Sequence, residues 1–201
     1  MGSETYDGFD RVSAILDVYQ DPGLVDWKIR VGKKESKRVS KVATDIGENV
    51  DSYIKAEIQG LKLPKLKTQE AENCVRAWEK WKEDYQFVLA SFEIGERLFC
   101  EETKVTGEPD ILIPSWKEVV DIKCSSSIRP TYWIQTEWYA SQLKYGSRAI
   151  LRLDKNLGVY EYEKRDRSEE DSMIFKCLTV IYRYFKPVKE VEDEPSSIAQ
   201  D

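Results

Sequence analysis

The chain has 201 residues and contains no histidine. This absence excludes Ser-His-Asp and Cys-His catalysis, and it excludes metal sites that depend on imidazole ligands. Any acid–base or metal chemistry must therefore use aspartate, glutamate, lysine or tyrosine. Because carboxylate and carbonyl oxygens prefer hard cations, the composition favours Mg²⁺, Mn²⁺ or Ca²⁺.

Long apolar runs are also missing. No run of about 18 apolar residues occurs, so the sequence predicts no transmembrane helix. The acidic and polar start, "MGSETYDGFD", is unlike a secretory signal peptide. We therefore expect a cytoplasmic protein with no membrane partner. The apolar content of 41% is enough to build the core of a single domain.

Cysteine is scarce and scattered. The four cysteines lie far apart in the chain, at Cys74, Cys100, Cys124 and Cys177. This spacing suits neither a zinc ribbon nor an iron–sulfur loop. We expect reduced and mostly buried thiols, and no iron–sulfur cluster.

An overall excess of positive charge is absent, because the net charge is −6. The charge is nevertheless segregated: residues 28–41, the basic stretch, carry seven Lys and Arg against one Glu. Such a local basic face can bind phosphates, although a solvated helix face is the ordinary alternative. The candidate DNA-binding residues are Lys33, Lys34, Lys37, Arg38 and Lys41.

The first 85 residues predict helices. Residues 36–59 place apolar side chains three and four positions apart, as on one face of a long helix. Residues 10–20, 24–32 and 68–85 predict three further helices. We therefore expect residues 1–85 to form a helical part, or cap, of the domain.

From residue 86 the pattern changes to short runs rich in Val, Ile, Phe and Leu, which are typical of strands. Helical spacing returns at 130–146, two strand-like runs follow, and a last helix is predicted at 168–186. This order indicates an α/β fold with a mixed central sheet flanked by helices. We expect one domain over residues 1–187, with an α/β core at 86–187, and a disordered acidic tail at 188–201.

Charged residues interrupt two of the strand-like runs. Asp110 begins the run 111–113, and Asp121 lies within the run that ends at Lys123. Strand alternation puts Asp121 and Lys123 on the same face, and a hairpin would bring both carboxylates together at one end of the sheet. A divalent cation would remove their repulsion, and the lysine beside it suits phosphodiester hydrolysis. Turn or cap residues paired with Lys123 are the ordinary alternative.

The segment "GEPD" followed after ten residues by "DIK" resembles the PD-(D/E)XK nuclease superfamily. Downstream, "QTEWY" is similar to the Q-x-x-x-Y motif of its RecB-like exonuclease branch. The resemblance implies a restriction-endonuclease-like fold, with Asp110, Asp121 and the Ile122 carbonyl as metal ligands and Lys123 as a catalytic residue. It also implies that Gln135 and Tyr139 organise the site or contact the DNA backbone.

Two further positions follow from the same resemblance. The segment "IGENVDSYI" is similar to the G-x-x-x-H helix of the branch, but Asp51 stands in place of the histidine. Asp51 would then be a metal ligand, although a solvent-facing carboxylate is the alternative and Asp45 and Glu48 lie nearby. Glu96 stands where the branch often has a glutamate that supports the metal site.

The sequence therefore predicts a Mg²⁺- or Mn²⁺-dependent DNA exonuclease or end-processing nuclease, acting on DNA with a free or single-stranded end. A site-specific endonuclease and a catalytically silent nucleic-acid-binding module are the alternatives. Aromatic residues near the site, Trp27, Tyr132 and Trp138 among them, either stack on unpaired bases or pack in the core. Oligomeric state and the polarity of degradation stay open.

Overall fold

The computed structural model describes residues 5–6 and 8–186. The tail predicted to be disordered, residues 188–201, lies outside these residues. None of the helices in the described part is both long enough and apolar enough to cross a membrane.

The described chain folds into helices and short strands. The helices are α1 (Val12–Leu16), α2 (Pro22–Val31), α3 (Lys33–Ile58), α4 (Gln69–Asp84), α5 (Pro130–Leu143) and α6 (Glu169–Phe185). The strands are β1 (Thr5–Tyr6), β2 (Phe9–Arg11), β3 (Glu93–Ile94), β4 (Leu98–Cys100), β5 (Val105–Gly107), β6 (Ile111–Ile113), β7 (Glu118–Lys123), β8 (Ser147–Leu153) and β9 (Tyr160–Asp166).

The larger sheet has five strands in the order β3-β6-β7-β8-β9. Its strands are antiparallel except for β7 and β8, which run parallel. Parallel neighbours need a crossover connection, and α5 provides it. The crossover sets α5 directly against the strand that carries Asp121.

Two cores cover the two faces of this sheet. On one face, α3 and α4 pack against alternate residues of β6, β7 and β8, with Trp78 and Trp81 fully buried. On the other face, α1, α5 and α6 pack against the remaining strand residues, with Trp138 buried among them. Trp138 is thus a core residue, as the packing interpretation predicts.

The predicted α/β class, the mixed sheet and the flanking helices are confirmed. A second, four-stranded sheet in the order β1-β2-β5-β4 was not expected. It arises because residues 108–110 interrupt the strand conformation between β5 and β6, so that these two strands join different sheets. Its partner β2 comes from the first residues of the segment predicted as a helix.

Two smaller expectations are wrong. Val42 is one of the apolar residues that the spacing at 36–59 places on a single face of α3, yet it is 45% exposed. The buried residues of this helix are confined to Ser36 and the segment from Ile46 to Ile54. Cys177 is exposed on α6, whereas Cys74 is buried as expected.

Candidate active site

The strand pair β6–β7 positions the two aspartates. The strands are antiparallel with Ile111 opposite Val120, so Asp110 precedes β6 at the point where β7 reaches Asp121. The backbone N–H of Ile122 donates a hydrogen bond of 2.6 Å to Asp110 Oδ2. This bond fixes the first carboxylate against the strand that carries the second.

Strand alternation then separates the side chains of β7. Val120 packs on the side of α3 and α4, whereas Val119 packs on the side of α5. Asp121, two positions after Val119, therefore faces α5 and is only 1% exposed. Lys123 shares this face, with its Nζ atom 2.7 Å from Asp121 Oδ2 and 5.1 Å from the centre of the Tyr132 ring.

Helix α5 brings Gln135 and Tyr139 to the same face. They are one turn apart, and Gln135 Nε2 donates a hydrogen bond of 3.1 Å to the Tyr139 hydroxyl oxygen. The Tyr139 ring lies against Gly107 of β5, where an added Cβ would come within 2.6 Å of Tyr139 Cε1. Glycine is needed at this position because the ring occupies the space of a side chain.

A second glycine supports Asp110. The backbone N–H of Gly95 donates a hydrogen bond of 3.3 Å to the Asp110 carbonyl oxygen. A Cβ at Gly95 would meet the carbonyl oxygen of Pro109 at 2.2 Å. The loop after β3 can therefore pack against the Pro-Asp segment only with glycine here.

A buried ion-pair network holds α5 in place. Glu137, between the two site residues of the helix, is 1% exposed. It accepts a hydrogen bond of 2.9 Å from the Ser168 backbone N–H, and it lies 3.3 Å from Arg148 Nε and 2.9 Å from a terminal nitrogen of Arg167. Because these partners come from β8 and the segment before α6, they fix the rotation of α5 about its axis.

Burial and mutual repulsion perturb the two carboxylates. Burial and the negative charge of Asp121 together raise the pKa of Asp110 to about 6, against the opposing effect of Lys123. Burial also raises the pKa of Asp121, again opposed by Lys123. Two carboxylates in one dry site disfavour simultaneous ionisation unless a cation joins them.

The lysine and the tyrosine both keep their protons at neutral pH. Burial would lower the pKa of Lys123, but the charges of Asp121 and Asp110 outweigh it and hold that pKa above its usual range. Burial and the charge of Asp121 raise the pKa of Tyr139. Lys123 is therefore an ammonium ion here, and Tyr139 is a neutral hydroxyl.

The residues that could hold a metal are two carboxylates and a carbonyl. Within residues 5–6 and 8–186, no three His, Cys, Asp or Glu side chains converge as a metal site. Among the described residues, the buried Asp121 Oδ2 is held by its ion pair with Lys123 Nζ at 2.7 Å and accepts no backbone hydrogen bond. Asp110, Asp121 and the Ile122 carbonyl fit a hard cation that keeps several waters, as Mg²⁺ does.

The other two predicted metal residues lie differently. Asp51, on α3, is close enough to the site for the charge of Asp110 to raise its pKa in addition to the effect of burial. Its carboxylate is already paired, with Asp51 Oδ2 3.2 Å from Lys55 Nζ. Glu96 is exposed between β3 and β4, and we find no ion pair between it and the other described residues. Lys55 Nζ also lies 3.4 Å from Glu108 Oε1. Neither Lys55 nor Glu108 was singled out from the sequence.

Residues 33–41 of the basic stretch form the beginning of α3, and residues 28–31 form the end of α2. All five candidate DNA-binding side chains are exposed. Two of them are paired within the helix, Arg38 with Glu35 at 2.7 Å and Lys41 with Asp45 at 3.2 Å. The same helix continues to Asp51, so one rigid element joins the basic stretch to the carboxylates.

Two cavities are both lined by Tyr132, whose ring centre lies 5.1 Å from Lys123 Nζ. One, of about 420 Å³, reaches Gln135. The other, of about 670 Å³, is lined by Trp27 and by the serines that follow β7. Arg129 lines both cavities. The aromatic and cationic side chains that line these cavities are suited to hold a nucleic-acid strand.

Solved structures of similar shape include an alkaline exonuclease, LHK-Exo from Laribacter hongkongensis. It aligns with a TM-score of 0.51 and 12% sequence identity over 88% of this chain and 87% of that chain. The structure of LHK-Exo in complex with dAMP gives the same values. The structure of SSO0001 aligns with a TM-score of 0.52 and 11% identity over 92% of this chain and 80% of that chain.

No family model matches the chain, and no curated protein sequence matches it significantly. Similarity at this level of identity shows a shared fold. The chain therefore has the fold of an alkaline exonuclease structure, consistent with the PD-(D/E)XK-like fold expected from its motifs.

Proposed function

We propose that this protein is a divalent-metal-dependent deoxyribonuclease of the RecB-like type that removes nucleotides from a DNA end. One observation carries the proposal: Asp110, Asp121 and Lys123 meet at the end of β6–β7, facing Gln135 and Tyr139 of α5. These residues come from separate segments, and packing in the core does not explain the charges of Asp110, Asp121 and Lys123. The likeness to LHK-Exo, a structure that was also obtained with dAMP, supports DNA as the substrate.

Asp110 and Asp121, with the Ile122 carbonyl, would hold Mg²⁺ or Mn²⁺ at the sheet end. When bound, the cation would make water a stronger nucleophile and offset charge on the phosphate. The N–H of Ile122 keeps Asp110 in its ligand orientation. Burial of Asp121 keeps bulk water away from the reacting group and strengthens the electrostatic interactions there.

Lys123 and Tyr139 act as proton-bearing groups. Because Lys123 is an ammonium ion, it orients the attacking water or stabilises charge that develops on the phosphate oxygens, rather than accepting a proton. Gln135 donates to the Tyr139 oxygen, so the Tyr139 hydroxyl proton is free to reach the site or the DNA backbone.

The DNA strand would follow α3 to the site. The exposed lysines of the basic stretch contact phosphates, and the cavities around Tyr132 receive unpaired bases next to the cut. Trp27 and Tyr132 supply the aromatic surfaces on which these bases stack.

The test is a nuclease assay with Mg²⁺ or Mn²⁺ on end-labelled linear DNA, single- and double-stranded, beside a closed circle. We expect linear DNA to be shortened from an end and the circle to persist. Lys123→Ala should abolish cleavage, whereas Lys80→Ala, an exposed lysine of α4, should not affect it. Cutting of the circle would favour a site-specific endonuclease. DNA binding without cleavage by the wild type, or full activity of Lys123→Ala, would contradict the proposal.

A further inference from the structure

A second lysine, Lys55 of α3, forms ion pairs beside the Pro-Asp segment that carries Asp110. Its Nζ atom is 3.2 Å from Asp51 Oδ2 and 3.4 Å from Glu108 Oε1. Arg97 contacts the other carboxylate oxygen of Glu108 at 2.8 Å. The Lys55 side chain remains 26% exposed. Two carboxylates from different segments thus hold the ammonium group without closing it off from a ligand.

The charge of Asp110 reaches both lysines. Burial would lower the pKa of Lys55, but the charges of Asp51, Asp110 and Glu108 outweigh it. Asp110 acts on Lys123 in the same way. Asp110 thus interacts electrostatically with lysines from two different elements, Lys55 of α3 and Lys123 of β7.

We propose that Lys55 is a second phosphate-binding cation of the active site, and that Asp51 and Glu108 position this lysine instead of binding the metal. The inference rests on the proposed nuclease function. A divalent cation on Asp110 would repel a neighbouring ammonium group. Lys55 can stay beside it because two other carboxylates offset that repulsion, and a phosphodiester then supplies a further negative partner.

The direction of α3 supports this role. Lys37 of the basic stretch precedes Lys55 by 18 residues, which is five turns or about 27 Å of helix. The two side chains therefore project from the same face of α3. A strand bound along this face would pass from the basic stretch to Lys55 and reach the carboxylates without changing direction.

A purely structural role predicts different behaviour. An i,i+4 ion pair on a helix surface contributes little to stability and has no effect on ligands. The pair between Lys80 and Asp84 on α4, with the same spacing and a distance of 2.7 Å, provides the matched control. If Lys55 only stabilises α3, Lys55→Ala and Lys80→Ala should behave alike.

The first measurement is binding of fluorescein-labelled single-stranded DNA, followed by anisotropy in EDTA over a series of salt concentrations. We expect Lys55→Ala to weaken binding and to reduce the slope of log K against log salt by about 0.7, the value for one phosphate contact on a single strand. Lys55→Arg should keep the slope, because a guanidinium group also binds phosphate. Equal slopes for Lys55→Ala and Lys80→Ala would overturn the proposal.

The second measurement is cleavage as a function of Mg²⁺ concentration. Lys55→Ala should lower kcat/KM by about 10- to 100-fold, and Lys55→Arg should recover part of it. Asp51→Asn should also lower kcat/KM but leave the Mg²⁺ midpoint unchanged. A midpoint moved to higher Mg²⁺ in Asp51→Asn would mean that Asp51 is a ligand and would refute the positioning role.

Folding and the underlying function are checked separately. Circular dichroism establishes that each variant is folded. If Lys55→Ala unfolds, it is replaced by Lys55→Gln, which keeps a long polar side chain but removes the charge. An inactive wild type, or an active Lys123→Ala, contradicts the proposed nuclease. Activity that is lost in Lys123→Ala and kept in Lys55→Ala and Lys55→Gln contradicts only the role of Lys55.

Discussion

Replacing Asp110 with asparagine should stabilise the metal-free protein while it abolishes activity. Asparagine keeps an oxygen that can accept the hydrogen bond from the Ile122 N–H. The substitution removes the negative charge that faces the buried Asp121. Residues of functional sites are often unfavourable for folding, and burial with the neighbouring charge of Asp121 makes the ionised Asp110 unfavourable in the folded protein.

The magnitude follows from the pKa of Asp110. Its rise from 3.8 to about 6 corresponds to about 3 kcal/mol of unfavourable free energy when the carboxylate is ionised in the folded protein. Because the Asp110 side chain is only half-buried, solvent screening reduces this to about 1–2 kcal/mol. For a chain of this length, Asp110→Asn should therefore raise the Tm by about 2–8 °C.

The stability gained by Asp110→Asn should decrease as the pH falls. Above pH 6 the Asp110 carboxylate is ionised in both the folded and the unfolded chain, so the wild type carries the full destabilisation by this charge. As the pH falls through about 6 towards 3.8, Asp110 takes up a proton in the folded protein but not in the unfolded chain, and the destabilisation decreases. The Tm difference between Asp110→Asn and the wild type should thus be largest at pH 7.5 and small at pH 4.

Thermal unfolding followed by circular dichroism in EDTA measures these differences, with Asp26→Asn, an exposed aspartate of α2, as the matched control. Adding Mg²⁺ should raise the Tm of the wild type and of Asp26→Asn but not that of Asp110→Asn. A lower Tm for Asp110→Asn in EDTA at pH 7.5, or the same gain at pH 4, would refute the electrostatic reasoning.

Two further changes test the support of the site and the path of the DNA. Gly107→Ala places a Cβ 2.6 Å from Tyr139 Cε1, so we expect a loss of about 1–3 kcal/mol in the free energy of unfolding, together with lower activity, measured by urea denaturation and the nuclease assay. Unchanged stability would show that the ring can move away freely. Three of the candidate DNA-binding lysines, Lys33, Lys34 and Lys37, form no ion pair with other described residues. Glutamine at these three positions should weaken DNA binding and reduce its salt slope by up to about 2, with no change in Tm; an unchanged slope would place the DNA elsewhere.

Much of the fold could be predicted because its signals are local. The spacing of apolar residues in α3 and α4 follows helical geometry, and the short β-branched runs of β6 to β8 follow strand geometry. The predicted hairpin between Asp110 and Asp121 is present as β6–β7. A register of this kind can be anticipated because the two runs are adjacent in the chain and joined by a short turn.

The second sheet could not be predicted in this way. Its strands are two or three residues long, too short for a periodic signal, and β2 pairs with β5 across about 95 residues. A parallel contact between such distant segments depends on how the helices between them pack. The same reason applies to Gly95 and Gly107, whose close contacts with Pro109 and Tyr139 involve other elements.

By itself, the sequence determined the chemistry that is open to this protein. Without histidine, it is left with carboxylates, lysine and tyrosine, and strand alternation alone sets Asp121 and Lys123 on one face. Only the tertiary structure decided what else meets them. Crossover helix α5 turns Gln135 and Tyr139 towards that face, and α3 brings Asp51 to the site already paired with Lys55. These contacts depend on how distant segments pack together, and the resulting burial and neighbouring charges set the pKa of the ionisable side chains at the site.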